Sequence, residues 1–271
     1  MEENKEVETN EQVEIKTEDA GKAITPIAQV QPKVVVEPQT RVQKIGRRFK
    51  STLFMRFMVW ATKRIMRAFW PTKVFFRERF NVTGRAVVTC NHYGVFDSST
   101  IIGNFYKKKP LAILLKKELM EKDNFASHFL DEIGGIPVNR HQADITAVKR
   151  ALKALNSDQQ LLIFPEGTRN KADTKEMGKI EEGTAMFAIK TKSPIVPLIY
   201  YRCTKWYKKN YLLVGHSFTL EEFYDDKSPD VKKRATEKIV EEYKKLRAEI
   251  DEIVEVYKGS ERKYKKAHGI E

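Results

Sequence analysis

Between about Thr83 and Phe218 short apolar runs alternate with stretches of helical periodicity, and this alternation limits the fold more than any other feature of the chain. The runs at 86–90, 111–115, 161–164, 195–201 and 211–215 read as buried strands, and 99–106, 125–133, 143–155 and 183–191 read as helices. Such alternation predicts an α/β fold, a single domain with a central, mostly parallel or mixed sheet flanked by helices. A length of 271 residues holds one such domain with tails rather than two full domains.

The flanks differ sharply in charge. Residues 1–20 carry eight acidic side chains against Lys5 and Lys16, with no aromatic. So little apolar surface cannot offset the entropy of ordering, and 1–43 is expected to be a disordered acidic and polar tail. From Lys44 to Arg79 the balance reverses, with eleven Lys and Arg against Glu78 alone. Neither Pro nor Gly interrupts 47–70 and Pro71 stops the run, which predicts one helix. Arg56, Lys63, Arg64 and Arg67 fall within about a third of its circumference, around Trp60, and apolar side chains occupy most of the rest. The length would allow a span, but each cation near the bilayer centre would cost about 2.5–3.5 kcal/mol. In the interface the same cations sit among anionic headgroups at a gain. Residues 44–80 are therefore expected to form a basic amphipathic membrane-association segment ahead of an α/β domain at 81–225.

Beyond that domain, 226–258 reads as a charged helix in which Ile239, Tyr243, Leu246, Ile250, Ile253 and Tyr257 recur at spacings of four and three. This seam can pack on the domain or pair two copies of the chain as a homodimer through 239–257. Residues 259–271 read as a basic frayed tail.

Lysine and arginine exceed the acidic residues by 13, a balance that admits nucleic acid, an anionic membrane or a phosphorylated substrate. Cys90 and Cys203 are too few for a disulfide framework, and no signal-peptide pattern opens the chain, so a reducing cytoplasmic setting is the expectation. Neither CxxC nor HExxH occurs, which leaves no expected metal site.

The chemistry concentrates in Asn91-His92-Tyr93-Gly94-Val95-Phe96-Asp97, directly after the strand at 86–90. A turn there can present the imidazole at the sheet edge and bring Asp97 back onto one ring nitrogen, leaving the other to accept a proton from a hydroxyl. No Ser or Cys nucleophile is suitably placed beside the pair, so the pattern points to a base acting on a substrate alcohol.

Three further segments follow: Gly135-Ile136-Pro137-Val138-Asn139-Arg140, Phe164-Pro165-Glu166-Gly167-Thr168-Arg169 and Ile195-Val196-Pro197-Leu198. In this order the four blocks resemble those of the glycerolipid acyltransferases, the lysophosphatidic acid acyltransferase family, from roughly Arg47 to Tyr201. The resemblance implies transfer of a fatty acyl group from acyl-CoA or acyl-carrier protein to the free hydroxyl of 1-acylglycerol 3-phosphate. These co-substrates apart, no cofactor is implied. His92 would be the general base and Asp97 its orienting carboxylate. Glu166, Gly167, Thr168, Arg169 and Arg140 would bind the acceptor, with Arg169 and Arg140 as phosphate ligands.

Two departures stand out. Gly94 takes a position where many relatives carry a small polar residue. Glu181-Glu182 precede Gly183 where relatives often have two basic residues. Acylation of glycerol 3-phosphate or another lysophospholipid remains open, as does a non-catalytic basic module for membrane or nucleic acid. The His92–Asp97 pair argues against the module, because binding alone needs no such pair, and nothing resembles a nucleic-acid motif. The expected setting is the cytoplasmic face of the cell membrane, with peripheral attachment to an anionic surface.

Overall fold

The computed structural model describes residues 52–105, 111–121, 127, 130, 131, 133–139, 144–170, 175 and 177–270. The expected acidic tail, the start of the basic segment, Arg140 and most of the helix expected at 125–133 lie outside them.

Seven strands form one mixed sheet in the order β1-β7-β6-β2-β5-β3-β4. They are β1 (Thr72–Phe75), β2 (Ala86–Cys90), β3 (Ala112–Lys116), β4 (Gly135–Val138), β5 (Gln160–Ile163), β6 (Ile195–Tyr200) and β7 (Asn210–Val214). Every pairing is parallel except β6 with β7. The central strands β2 and β6 are buried at every residue, so their side chains are apolar almost without interruption instead of alternating.

Alternate residues of these strands feed two cores. On one face Val87, Leu161 and Ile195 pack under helices α3 (Ile145–Asn156), α4 (Gly183–Thr191) and α5 (Val231–Glu255). On the other, Val88, Leu162 and Val196 pack under Ile101, Ile102 and Phe105 of helix α2 (Asp97–Phe105). Helix α1 (Thr52–Phe69) rests on α2, where Met66 is buried and accepts from Thr100 Oγ1 at 3.9 Å.

The structure corrects the sequence reading at three places. The sheet begins at Thr72, so residues 72–75, expected in the membrane-association segment, are strand β1 beside β7. The seam of α5 lies buried against its own sheet, with Ile239, Ile250 and Ile253 wholly inaccessible, so those side chains are not available as a dimer contact. The expected frayed tail folds as helix α6 (Glu261–Ala267), with Ser260 as its N-cap. Four basic side chains obscured one buried anchor, Tyr264, which meets Phe76 edge-on at 5.9 Å and stacks on His268 at 4.2 Å. Glu261 accepts the Phe76 N–H at 3.0 Å and Lys73 donates to the Gly259 carbonyl at 2.7 Å, which ties α6 to the outer strand.

Truncating that anchor tests the docking. Tyr264→Ala should lower stability by about 3 kcal/mol, read as a fall in the urea midpoint at an unchanged slope. A loss below about 0.5 kcal/mol, the range of ordinary surface substitutions, would mean that α6 is not packed.

Candidate active site

The carboxyl ends of β2 and β5 lie side by side, and each leads into one of the motif segments. In open α/β sheets this is the side on which loops from several strands converge to form a site. Asn91 closes β2 with its side chain, which acts as an extra rung to β6. Its Oδ1 accepts the Tyr200 N–H at 2.8 Å and its Nδ2 donates to the Tyr200 carbonyl at 3.1 Å.

His92 comes next, and Asp97, the first residue of α2, folds back onto it. Asp97 Oδ2 accepts from His92 Nδ1 at 3.0 Å and from the Tyr93 and Gly94 N–H groups at 2.7 Å each. Thr204 Oγ1, from the β6–β7 loop, donates to Oδ1 at 3.1 Å. The carboxylate is wholly inaccessible, yet four donors and the positive end of a helix surround it, which offsets the cost of taking a charge out of water. With Nδ1 engaged, Nε2 is the imidazole nitrogen that can accept a proton. The ring stacks on Phe164 at 4.0 Å, so its plane is fixed by packing as well as by hydrogen bonds.

The loop after β5 braces the same histidine from behind. Glu166 is buried, with Oε1 accepting the His92 N–H and Oε2 the Gly178 N–H, each at 3.0 Å. A Cβ on Gly178 would sit 2.8 Å from Oε2, so only glycine lets this backbone approach so closely. Asn170 N–H donates to the His92 carbonyl at 2.7 Å, and a turn between Phe164 and Gly167 carries the segment round. The sequence reading placed Glu166 at the acceptor. Its two oxygens accept backbone N–H groups, and Gly167, Thr168 and Arg169 of the same loop are exposed.

An apolar cleft of about 180 Å³ opens next to this loop, between Leu114, Leu115, Val138, Phe164 and Phe187. Glu181, one of the two acids standing where relatives often have bases, lies at its edge, and both Glu181 and Glu182 are exposed. Cys90, close to the dyad in sequence, is fully buried. That burial, reinforced by the Asp97 and Glu166 carboxylates, pushes its thiol well above the ordinary range and removes it as a nucleophile.

The dyad, Glu166 and the 167–169 turn are thus brought together. Reading the sequence missed Thr204 and Tyr200, which lie more than a hundred residues from Asp97 and belong to no motif.

The acyltransferase family model matches residues 72–201, from the first strand to the end of β6. Over those residues the chain is similar to that family. A 1-acyl-sn-glycerol-3-phosphate acyltransferase of Bacillus subtilis is 26% identical over 73% of this chain and 99% of its own length. One of Borreliella burgdorferi is 31% identical over 49% of this chain and 52% of its own. The fold matches the crystal structure of a 1-acyl-sn-glycerophosphate (LPA) acyltransferase from Thermotoga maritima, with a TM-score of 0.54 at 17% identity, across 76% of this chain and 87% of that one.

Replacing the brace separates support from binding. Glu166→Gln can accept only one of the two N–H groups, so kcat should fall and the melting temperature drop, with the acceptor KM little changed. A rise in acceptor KM at constant kcat would instead put Glu166 in contact with the acceptor.

Proposed function

We propose that this acyltransferase moves a fatty acyl group from acyl-CoA or acyl-carrier protein to the free hydroxyl of 1-acylglycerol 3-phosphate, releasing the thiol and phosphatidic acid. The observation that carries the reading is the 3.0 Å His92–Asp97 contact beside the exposed Arg169 turn. A hydroxyl at neutral pH is a poor nucleophile. Neutral His92 takes its proton at Nε2 as the oxygen attacks the thioester carbonyl, and then returns a proton to the departing thiolate. Asp97 keeps the tautomer that leaves Nε2 bare and stabilises the imidazolium as it forms, as in serine hydrolases, with the substrate alcohol in place of serine.

Arg169 is the side chain for the acceptor phosphate. Its guanidinium offers paired donors matched to two phosphate oxygens, and its exposure beside the turn leaves it open to a ligand. Arg140 is a further candidate for the same phosphate. The apolar cleft beside Phe164 suits an alkyl chain, with its polar end left at the dyad. The names of the bacterial relatives support the acceptor assigned here.

Among the described residues no helix is long and apolar enough to cross a membrane. Helix α1 nevertheless leaves Phe57, Trp60 and Ile65 exposed, interspersed with the exposed Arg64 and Arg67. Apolar and cationic side chains mixed on one surface suit the headgroup region of an anionic membrane. We place the chain there as a peripheral protein of the cytoplasmic face.

His92→Ala should reduce kcat by about 10²–10⁴-fold or more with unchanged circular dichroism, and near-normal turnover would remove the mechanism. A panel of lysophospholipid and glycerol 3-phosphate acceptors with both thioester donors tests the substrate. Arg169→Ala should raise KM for phosphate-bearing acceptors about tenfold to a hundredfold, with donor KM little changed. If donor KM rose instead, Arg169 would belong to the coenzyme or carrier-protein site.

A further inference from the structure

The loop between β6 and β7 presents an unbroken exposed run: Lys205, Trp206, Tyr207, Lys208 and Lys209. Trp206 is 58% exposed and Tyr207 60%, unusual for side chains whose rings are largely apolar. The loop is not loosely attached. Tyr207 N–H donates to the Phe69 carbonyl at 2.8 Å, and Asn210 ties both backbone groups of Lys205. The Phe69 ring at the end of α1 lies 6.2 Å from that of Trp206 and 5.3 Å from that of Tyr207. Trp70 packs at 4.3 Å on Phe96, itself 41% exposed and next to the dyad's aspartate. The end of α1 thus meets the β6–β7 loop through Phe69 and the dyad turn through Trp70, two neighbouring aromatic contacts that make a shelf beside the exposed lysines of the loop.

We propose that this shelf is a second membrane contact, in which the tip of the β6–β7 loop enters the headgroup layer of an anionic membrane. This rests on the reading of the chain as an acyltransferase working on a lipid at such a surface. Tryptophan and tyrosine have an apolar ring and a polar tip, which suits the boundary between headgroups and acyl chains. The three lysines add attraction to anionic lipid. A nucleic-acid partner is disfavoured because the shelf joins α1, whose exposed Phe57, Trp60 and Ile65 continue the apolar character. Contact on this side brings a lipid acceptor to the turn that carries His92.

The chain has three tryptophans, which allows each contact to be watched alone. Trp60→Phe with Trp70→Phe leaves Trp206 as reporter, and Trp70→Phe with Trp206→Phe leaves Trp60. With phosphatidylglycerol vesicles carrying brominated acyl chains, Trp206 emission should shift to the blue and be quenched, and phosphatidylcholine vesicles should do much less. Quenching of Trp60 with Trp206 silent would overturn the shelf and leave the peripheral reading standing. Silence of both would overturn both. Trp206→Ala with Tyr207→Ala should weaken vesicle binding about tenfold or more while kcat on detergent-dispersed acceptor is kept. Unchanged vesicle binding by that variant overturns the proposal.

A second inference stands on different geometry. A Cβ built on Gly94 would lie 3.2 Å from Thr204 Oγ1 and 3.3 Å from Asp97 Oδ1, so the threonine hydroxyl crowds the space that a side chain at 94 would enter. We infer that Thr204 is a positioning residue for the dyad, supplying from the opposite loop the hydroxyl that position 94 lacks. Oδ2 already takes three donors, and the Thr204 bond to Oδ1 sets the carboxylate plane that aims Oδ2 at the imidazole. Thr204→Ala should lower kcat about tenfold to a hundredfold, with KM little changed, and Thr204→Ser should retain most activity. Adding Gly94→Ser to Thr204→Ala should restore turnover, whereas Gly94→Ser alone, pressed against Thr204, should reduce it. Full kcat in Thr204→Ala, or no recovery in the double variant, overturns the assignment.

Discussion

The buried Asp97 carboxylate is the interaction on which the rest of the site depends. A bare carboxylate cannot be held without water at acceptable cost, so the polypeptide must bring donors to it. Two come from the backbone of the turn at 93–94, one from the His92 ring and one from Thr204. The turn can deliver its N–H groups only because Asp97 opens α2 directly, which also places the charge at the favourable end of a helix. The requirement to satisfy one charge thus determines the turn, the imidazole orientation and the point at which the β6–β7 loop must meet the site.

Around that centre, parallel strands and cross-braces make the geometry rigid. Asn91 fastens β2 to β6 through both backbone groups of Tyr200, and Tyr200 in turn donates its hydroxyl to the Asp97 carbonyl at 3.3 Å. Arg247 of α5 shares the Tyr200 carbonyl at 2.9 Å, so a helix on the far face of the sheet also bears on the dyad's strand. Glu166 and Asn170 seize the His92 backbone from the β5 side. Burial pushes the hydroxyl of Tyr200 and that of Tyr243, which donates to Thr89 at 2.9 Å, well above their ordinary range, so both remain neutral donors beneath the site. The His92 imidazole is held at Nδ1 by Asp97 and stacked on Phe164.

The exposed chemistry divides in two. Arg169 and its turn expose a cation, while Phe69, Trp70, Phe96 and Trp206 form aromatic contacts beside exposed lysines. Both belong to loops that also bond the dyad or its backbone, through Asn170 to the His92 carbonyl and through Thr204 to Asp97. The apolar cleft on the β3–β5 side completes an arrangement suited to an amphiphile.

What the sequence determined by itself was the class of fold and the local pairing of His92 with Asp97. Short, largely apolar runs such as 86–90 and 195–200 suit strands covered on both sides, and the Asn-His turn with Asp97 five residues on is local enough for backbone geometry to close. Strands β1 and β4 were not legible, because Thr72–Phe75 is embedded in a basic segment and Gly135–Val138 contains Gly and Pro. Helix α6 was hidden by its lysines, since a single aromatic anchor leaves no periodic signal. Only the tertiary structure decided that Glu166 braces backbone, that the α5 seam is spent on its own sheet, and that Thr204 reaches Asp97. Each of these depends on which distant strands become neighbours, and strand order is set by the packing of the whole sheet rather than by any short stretch of residues.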